Sequence, residues 1–205
     1  SDSTFLTGLL PTILELVKEP VTLIDNRLLP TISMSVPTVP LRDYQWDAVT
    51  NATSNTLNNT WWPRGVIKIP TGGGKTACAA GMIQMINKPT LFIVNTKDLL
   101  WQAHRVFTDY GIQTGVIGDG KYEVKNTTVA TVQSLYSLFK NDPTKLKFLR
   151  GIEQVFFDEA HLVAATLEKG NIFLKVAALV PSAYIRWGLS ATPYMKDQYS
   201  CLLFL

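Results

Sequence analysis

Charge is scarce in this 205-residue chain: Asp, Glu, Lys and Arg make up 17% of it, against 46% hydrophobic residues. Globular proteins carry about 25% charged residues, so this balance excludes a disordered polyelectrolyte and supplies material for a buried core. A net charge of +3 also excludes a strongly basic chain, and any contact with nucleic acid must come from a local patch. Cysteine is rarer still, with Cys78 and Cys201 only. Two thiols so far apart, without metal-ligand spacing, read as reduced residues of an intracellular protein. No apolar run approaches the roughly 18 residues that span a bilayer. The first residues, Ser1-Asp2-Ser3-Thr4, lack both a Met and the basic-then-apolar pattern of a secretory signal. Internal repeats and low-complexity tracts are missing too. A soluble, cytoplasmic protein is expected, of one domain with room for an attached piece.

Proline marks the one candidate boundary. Pro30, Pro37 and Pro40 punctuate a Ser/Thr/Val stretch that cannot be an internal helix and reads as a linker. Residues 1–40 thus read as an N-terminal accessory segment and linker, with a short helix over 11–18, a strand over 21–24 and a turn at Asp25-Asn26. So short a segment buries too little surface to fold alone. Over 41–205, apolar runs at 65–69, 90–95, 127–131, 154–157 and 185–189 show little polar alternation, as expected of parallel strands covered on both faces. Between them the pattern predicts a helix over 97–110, with Leu99, Leu100, Ala103, Val106, Phe107 and Tyr110 in one stripe. A second helix, over 76–86, is apolar nearly all round and ends before Pro89. The fold class is α/β, a mostly parallel central sheet with helices on both faces. Ligands of such sheets sit at the carboxyl ends of the strands, where each motif of this chain falls.

The strongest motif is Pro70-Thr71-Gly72-Gly73-Gly74-Lys75-Thr76. Three glycines let successive N–H groups face one point, a nest for phosphate oxygens, and the following helix adds its positive end. Lys75 would reach the β- and γ-phosphates, and the Thr76 hydroxyl would ligate magnesium. The strict P-loop pattern wants Gly where Ile69 stands. The bland alternative is a glycine-rich turn before an ordinary helix. The second motif is Asp158-Glu159-Ala160-His161 at the end of the run Val155-Phe156-Phe157. One carboxylate there can hold magnesium through water, and its neighbour can polarise an attacking water. Here the bland alternative is an Asp-Glu pair capping the next helix. The two motifs together, in this order, make coincidence untenable.

In this order the residues resemble the first RecA-like domain of superfamily 2 DExH helicases, a P-loop NTPase fold, over about residues 41–195. Leu41-Arg42-Asp43-Tyr44-Gln45 resembles the adenine-recognition motif, which implies Gln45 paired to the base and Arg42 flanking it. The resemblance gives Lys75, Asp158, Glu159 and His161 catalytic roles, Thr71 to Thr76 the phosphates, and Thr76 with Asp158 the magnesium. Asn95-Thr96-Lys97-Asp98-Leu99 and Ala130-Thr131-Val132-Gln133-Ser134-Leu135 resemble two motifs that line a nucleic-acid track, implying Thr96, Lys97, Thr131, Gln133 and Ser134 as phosphate contacts. Ser190-Ala191-Thr192-Pro193 resembles the motif that couples nucleotide state to that track and touches His161; Ser190 and Thr192 would carry it.

The form Gly188-Leu189-Ser190-Ala191-Thr192-Pro193 and the Leu-Arg-Asp-Tyr-Gln opening point away from DEAD-box RNA helicases. They are more similar to the DNA-directed branch of UvsW-type phage helicases, repair helicases and type III restriction translocases. Gly8-Leu9-Leu10-Pro11 and residues 21–26 add to the UvsW likeness. The implied cofactors are ATP and Mg2+, the partner branched or junction DNA, and the location the cytoplasm, of the host if a phage encodes the chain. A regulatory ATPase without nucleic acid, an RNA helicase lobe and a helicase-like scaffold are the rival readings. Read from residues alone, without the resemblance, the track residues are better taken as helix caps and exposed faces. Lys121 and Lys125 would extend the track or sit in a solvated loop. Trp61-Trp62 reads as packing, Trp101 as half-buried or facing a missing lobe, and His104 as a surface residue. Lys140, Lys145, Lys147 and Arg150 read as a solvated face. The apolar ending Cys201-Leu202-Leu203-Phe204-Leu205 reads as an element cut where a longer protein continues. The second RecA-like lobe is therefore expected outside this chain, and hydrolysis by this lobe alone is expected to be negligible.

Overall fold

The computed structural model describes residues 10–24, 29–57, 59–164, 172–180 and 182–192. All five predicted runs are strands: β3 (Arg64–Lys68), β4 (Thr90–Val94), β7 (Thr127–Thr131), β8 (Gln154–Asp158) and β9 (Ile185–Ser190). Two strands of the main sheet were not foreseen, β5 (Thr114–Gly118) and the two-residue β6 (Lys121–Tyr122). The β5 sequence Thr-Gly-Val-Ile-Gly carries two glycines, which depress strand propensity, and only burial of the whole strand overrides them. A small hairpin, β1 (Thr56–Leu57) with β2 (Thr60–Trp61), precedes the sheet.

The sheet runs β3-β9-β8-β4-β7-β5-β6, with β6 antiparallel to β5 and every other pairing parallel. Both faces are covered, so successive residues of one strand enter opposite cores. Phe92 and Val94 of β4 pack with helices α2 (Asp43–Thr53), α3 (Lys75–Ile86) and α4 (Lys97–Asp109). Leu91 and Ile93 pack with α5 (Val132–Asn141), the 3-10 helix Pro143–Gly151 and the helix Ile172–Ala177. Phe92 meets Phe107 edge to face at 5.0 Å, a geometry worth about 0.5–1.5 kcal/mol beyond area burial. The predicted stripe of α4 faces this core, with Leu100, Ala103 and Phe107 fully inside. Helix α3 stops at Asn87, whose left-handed backbone caps it by donating to the Ile83 carbonyl at 2.8 Å, two residues before Pro89.

The N-terminal helix is α1 (Leu10–Leu16). Residues 21–24 are not a strand: among the described residues none pairs with them, and Val21 and Ile24 are exposed. The Asp25-Asn26 turn, Gly8-Leu9, Pro193 and the apolar C-terminal run lie outside the described residues. The linker is held rather than free. Ser35 N–H donates to the Met85 carbonyl at 3.0 Å, Val39 is buried, and the Gln84 carboxamide accepts from Thr38 N–H at 2.7 Å and Val39 N–H at 3.2 Å. At the far end of the sheet, Arg64 and Arg186 are buried and donate through Nε to the Tyr184 and Ala183 carbonyls, each at 3.0 Å. Trp61 stacks on Tyr184 at 5.5 Å and Trp62 is buried, so the tryptophan pair is packing. Among the described residues, no helix is long and apolar enough to cross a membrane.

Candidate functional site

The order of strands sorts the motifs into two groups. The carboxyl ends of β3, β9 and β8 are neighbours, and they carry the glycine loop, Ser190 and Asp158-Glu159. The ends of β4, β7 and β5 are also neighbours, and they carry Thr96, Thr131 and Asp119.

In the first group the glycine loop leaves β3 and opens α3. Gly72 and Gly74 have φ of 77° and 82°, a region that costs other L residues about 1–2 kcal/mol. At Gly74 space is decisive as well: a Cβ would lie 2.3 Å from the Gln45 Nε2. Ile69, which departs from the strict pattern, is buried in the core, and its Cγ2 would lie 2.6 Å from a Cβ on residue 73. Gly73 thus absorbs the bulk of Ile69. Gln45 is itself buried. It donates from Nε2 to the Gly73 carbonyl at 2.8 Å and accepts at Oε1 from Arg42 N–H at 2.9 Å, the reach-back of a capping box. Tyr44, which no pattern singled out, donates to the same Gly73 carbonyl at 3.0 Å and accepts from Arg42 Nη1 at 3.2 Å. The loop carbonyl is therefore fastened to α2.

Across the cleft, Lys75 Nζ lies 2.9 Å from Glu159 Oε1, and Glu159 Oε2 lies 3.2 Å from His161 Nδ1. His161 Nδ1 also sits 2.9 Å from Ser190 Oγ, which accepts from Thr192 N–H at 3.1 Å. Lys75, Glu159, His161, Ser190 and Thr192 thus form one chain of contacts spanning β3, β8 and β9. Glu159 is in the left-handed region at φ 50°, a strained setting typical of functional residues. Asp158 is buried and its Oδ1 has no hydrogen-bond partner among the described residues. Burial, reinforced by the neighbouring Glu159 charge and opposed by Lys75, pushes its carboxyl up to about 6. A buried carboxylate oxygen without a partner, in a cleft shared with Thr76, fits a hydrated divalent cation completed by phosphate oxygens. The cleft, of about 400 Å³, is lined by the loop from Pro70 to Ala77, by Asp158 and Glu159, and by Leu99, Ala103 and Tyr110 of the α4 region. Thr71 and Gly72 line its open side; Arg42 is exposed nearby through its Tyr44 contact.

The second group forms a separate cleft of about 560 Å³, and all five predicted track residues line it. Their side chains are not equivalent. Gln133 commits its carboxamide nitrogen to Asn95 O and Oδ1 at 2.9 and 3.1 Å, and Thr131 donates its hydroxyl to Ser134 Oγ at 2.8 Å. Thr96 and Thr131 also cap α4 and α5, accepting from Leu99 and Ser134 N–H, so the capping alternative is observed for both, and both also line the cleft. Thr96, Lys97 and Ser134 line the cleft with hydroxyl- and ammonium-bearing side chains. Asp119, not among the residues expected at the track, sits among them. Its carboxylate accepts from Trp101 Nε1 at 3.1 Å and meets Lys97 Nζ at 3.1 Å. The indole N–H first and the Lys97 ammonium second hold that carboxyl below its ordinary range. Lys121 lies over the Trp101 ring at 4.8 Å, and Lys125 pairs with Glu123 at 3.0 Å. Lys140, Lys145, Lys147 and Arg150 are exposed, as a solvated face requires, while His104 is half-buried, not a surface residue.

Residues 38–195 match the family described as type III restriction enzyme, res subunit (ResIII). The chain belongs to that family. It is a RecA-like domain of the superfamily 2 helicase class. A DNA 3'-5' translocase XPB2 of Sulfurisphaera tokodaii is 34% identical over 162 residues, 78% of this chain and 32% of the relative. A putative DNA 3'-5' helicase Rad25 of Haloarcula marismortui is 30% identical over 159 residues, 75% of this chain and 22% of the relative. The chain therefore spans about a third or less of the length of these relatives. Among solved structures, that of phage T4 UvsW superposes with a TM-score of 0.65 at 18% identity, over 96% of this chain and 43% of that one. At that identity the likeness is one of fold. ATP use follows from the ResIII membership.

Proposed function

We propose that this chain is the ATP-binding lobe of a DNA translocase in which strand contact and nucleotide hydrolysis are coupled through β9. The observation that carries the reading is the contact chain Lys75–Glu159–His161–Ser190–Thr192. It joins the phosphate loop to the strand bordering both acids. Lys75 meets the β- and γ-phosphates in place of its Glu159 partner, freeing Glu159 to accept a proton from the attacking water. Gln45 retains one N–H and one oxygen lone pair beyond its contacts to Gly73 and Arg42, the pair needed for the N6/N7 edge of adenine. Arg42 stands beside it. Thr76 and Asp158 hold hydrated Mg2+, which, when bound, neutralises charge developing on the transferred phosphoryl group. Thr96, Lys97 and Ser134 hold strand phosphates, with Thr131 and Gln133 positioning them.

A second RecA-like lobe elsewhere in the protein supplies the remaining charge stabilisation. Arginine fingers of this kind contribute about 10³–10⁵ in rate in related NTPases. The two relatives, a DNA 3'-5' translocase and a putative DNA 3'-5' helicase, favour DNA as the substrate, here taken as branched or at a junction in the cytoplasm. The test is ATP hydrolysis by the full-length protein with single-stranded, duplex and forked DNA and with RNA. Strong stimulation by DNA, greatest on forks, and its loss in Glu159→Gln are expected. Hydrolysis indifferent to nucleic acid would replace this reading with a regulatory ATPase, and stimulation by RNA alone would move the substrate.

A further inference from the structure

Lys97 is the first residue of α4, a place where the positive end of the helix disfavours a cation and favours an anion. Its ammonium is nevertheless aimed into the second cleft, because Asp119 lies 3.1 Å away across the turn after β5. The Asp119 carboxylate thus occupies the kind of position a phosphate would take: near the start of α4, within reach of Lys97, in the cleft shared with Thr96 and Ser134. Its two oxygens are divided. Oδ2 accepts from the Trp101 indole and Oδ1 meets Lys97. The Trp101 contact can therefore persist when Lys97 leaves. The Lys97 side chain is 73% exposed, and an ion pair so solvated is weak and easily exchanged.

We infer that Asp119 is an exchangeable counter-ion for Lys97, holding the ammonium in the cleft until a phosphodiester of a nucleic-acid strand takes its place. This deepens the proposed function and rests on its reading of the second cleft as a strand site. Occupied by Asp119, Lys97 contributes little net charge to distant strands. The carboxylate also opposes any anion that does not engage Lys97 directly. Affinity is thereby held down, which suits a motor that must release each phosphate as it steps.

The test is binding of a fluorescent oligo-dT single strand to this chain across a salt series, with D119N, K97Q and the double variant. Asn tolerates the left-handed φ of 49° at position 119 and can still accept from Trp101, so D119N keeps the turn. D119N is expected to bind at least about threefold tighter at 50 mM salt. Its slope of log affinity on log salt should steepen by about 0.7, roughly a further 2.6-fold loss between 50 and 200 mM. In the K97Q background that gain should vanish. A gain that persists without Lys97 would mean only general removal of negative charge and would overturn the exchange, as would unchanged or weaker binding by D119N when K97Q itself weakens binding. If K97Q and S134A both leave affinity intact, the strand site lies elsewhere and the reading of the cleft fails with the inference.

Discussion

Asp158 ends β8 inside the protein, and its carboxyl titrates at about 6, not at its ordinary 3.8. The cause is mainly burial, so the charged form is the disfavoured one. Below about pH 4 the group is protonated in both folded and unfolded chains and contributes nothing. Between about pH 4 and 6 the unfolded chain releases its proton while the folded chain keeps it, so stability falls as pH rises. Above pH 6 the loss is complete. The displacement from 3.8 to about 6 corresponds to about 3 kcal/mol, a large part of the 5–15 kcal/mol that is roughly typical of a domain. Replacing the carboxylate by an uncharged carboxamide should recover part of it, less the cost of burying a polar amide without a partner. Asp158→Asn is therefore expected to be about 1–3 kcal/mol more stable than the parent at pH 8, and no more stable at pH 4. Urea unfolding at the two pH values, in buffer free of nucleotide and divalent cations, measures this. With Mg-ATP at about 1,000 times the parent's Kd the order should reverse, since that ligand stabilises the parent by about 4.1 kcal/mol and the variant has lost a cation ligand. A gain of the same size at both pH values, or none at pH 8, would refute the argument that burial of a charge is what this position costs.

Gly74→Ala places a methyl 2.3 Å from Gln45 Nε2 on a backbone at φ 82°; a loss of about 1–2 kcal/mol in stability and at least about tenfold in nucleotide affinity is expected from urea titration and calorimetric binding. Gln84→Ala removes the acceptor of Thr38 and Val39 and the donor to Tyr110 O. It should lower stability by about 1–2 kcal/mol and speed proteolysis within residues 30–40, and unchanged cleavage there would show that the strap is held by other contacts. Ser190→Ala removes the shared partner of His161 and Thr192. Nucleotide affinity should persist, while DNA stimulation of hydrolysis by the full-length protein drops about 2- to 30-fold.

Much of the fold was legible because its strands are nearly continuous apolar runs, a pattern that only two-sided burial explains. The glycine loop and the acids were legible for a different reason: phosphate and cation chemistry needs those residue types next to one another in the chain. Where the information was not local, reading failed. The β5 run looks weak because its glycines are rescued by neighbours on the sheet. Residues 21–24 look like a strand but have none beside them to pair with among the described residues. Gln84 is an unremarkable helix position until the linker is seen folded across it. Asp119 has no assigned role along the chain until β5 is placed beside β7, bringing it to Lys97 and Trp101.

The sequence by itself therefore determined that this is a parallel α/β nucleotide-binding lobe, since alternating elements and contiguous motifs are properties of the chain alone. Only the tertiary structure decided the order β3-β9-β8-β4-β7-β5. That order puts Ser190 between loop and acids, divides the motifs into two clefts, and sets Asp119 against Lys97. Strand order is fixed by which buried faces pack together across the sheet, and no spacing along the chain encodes that directly.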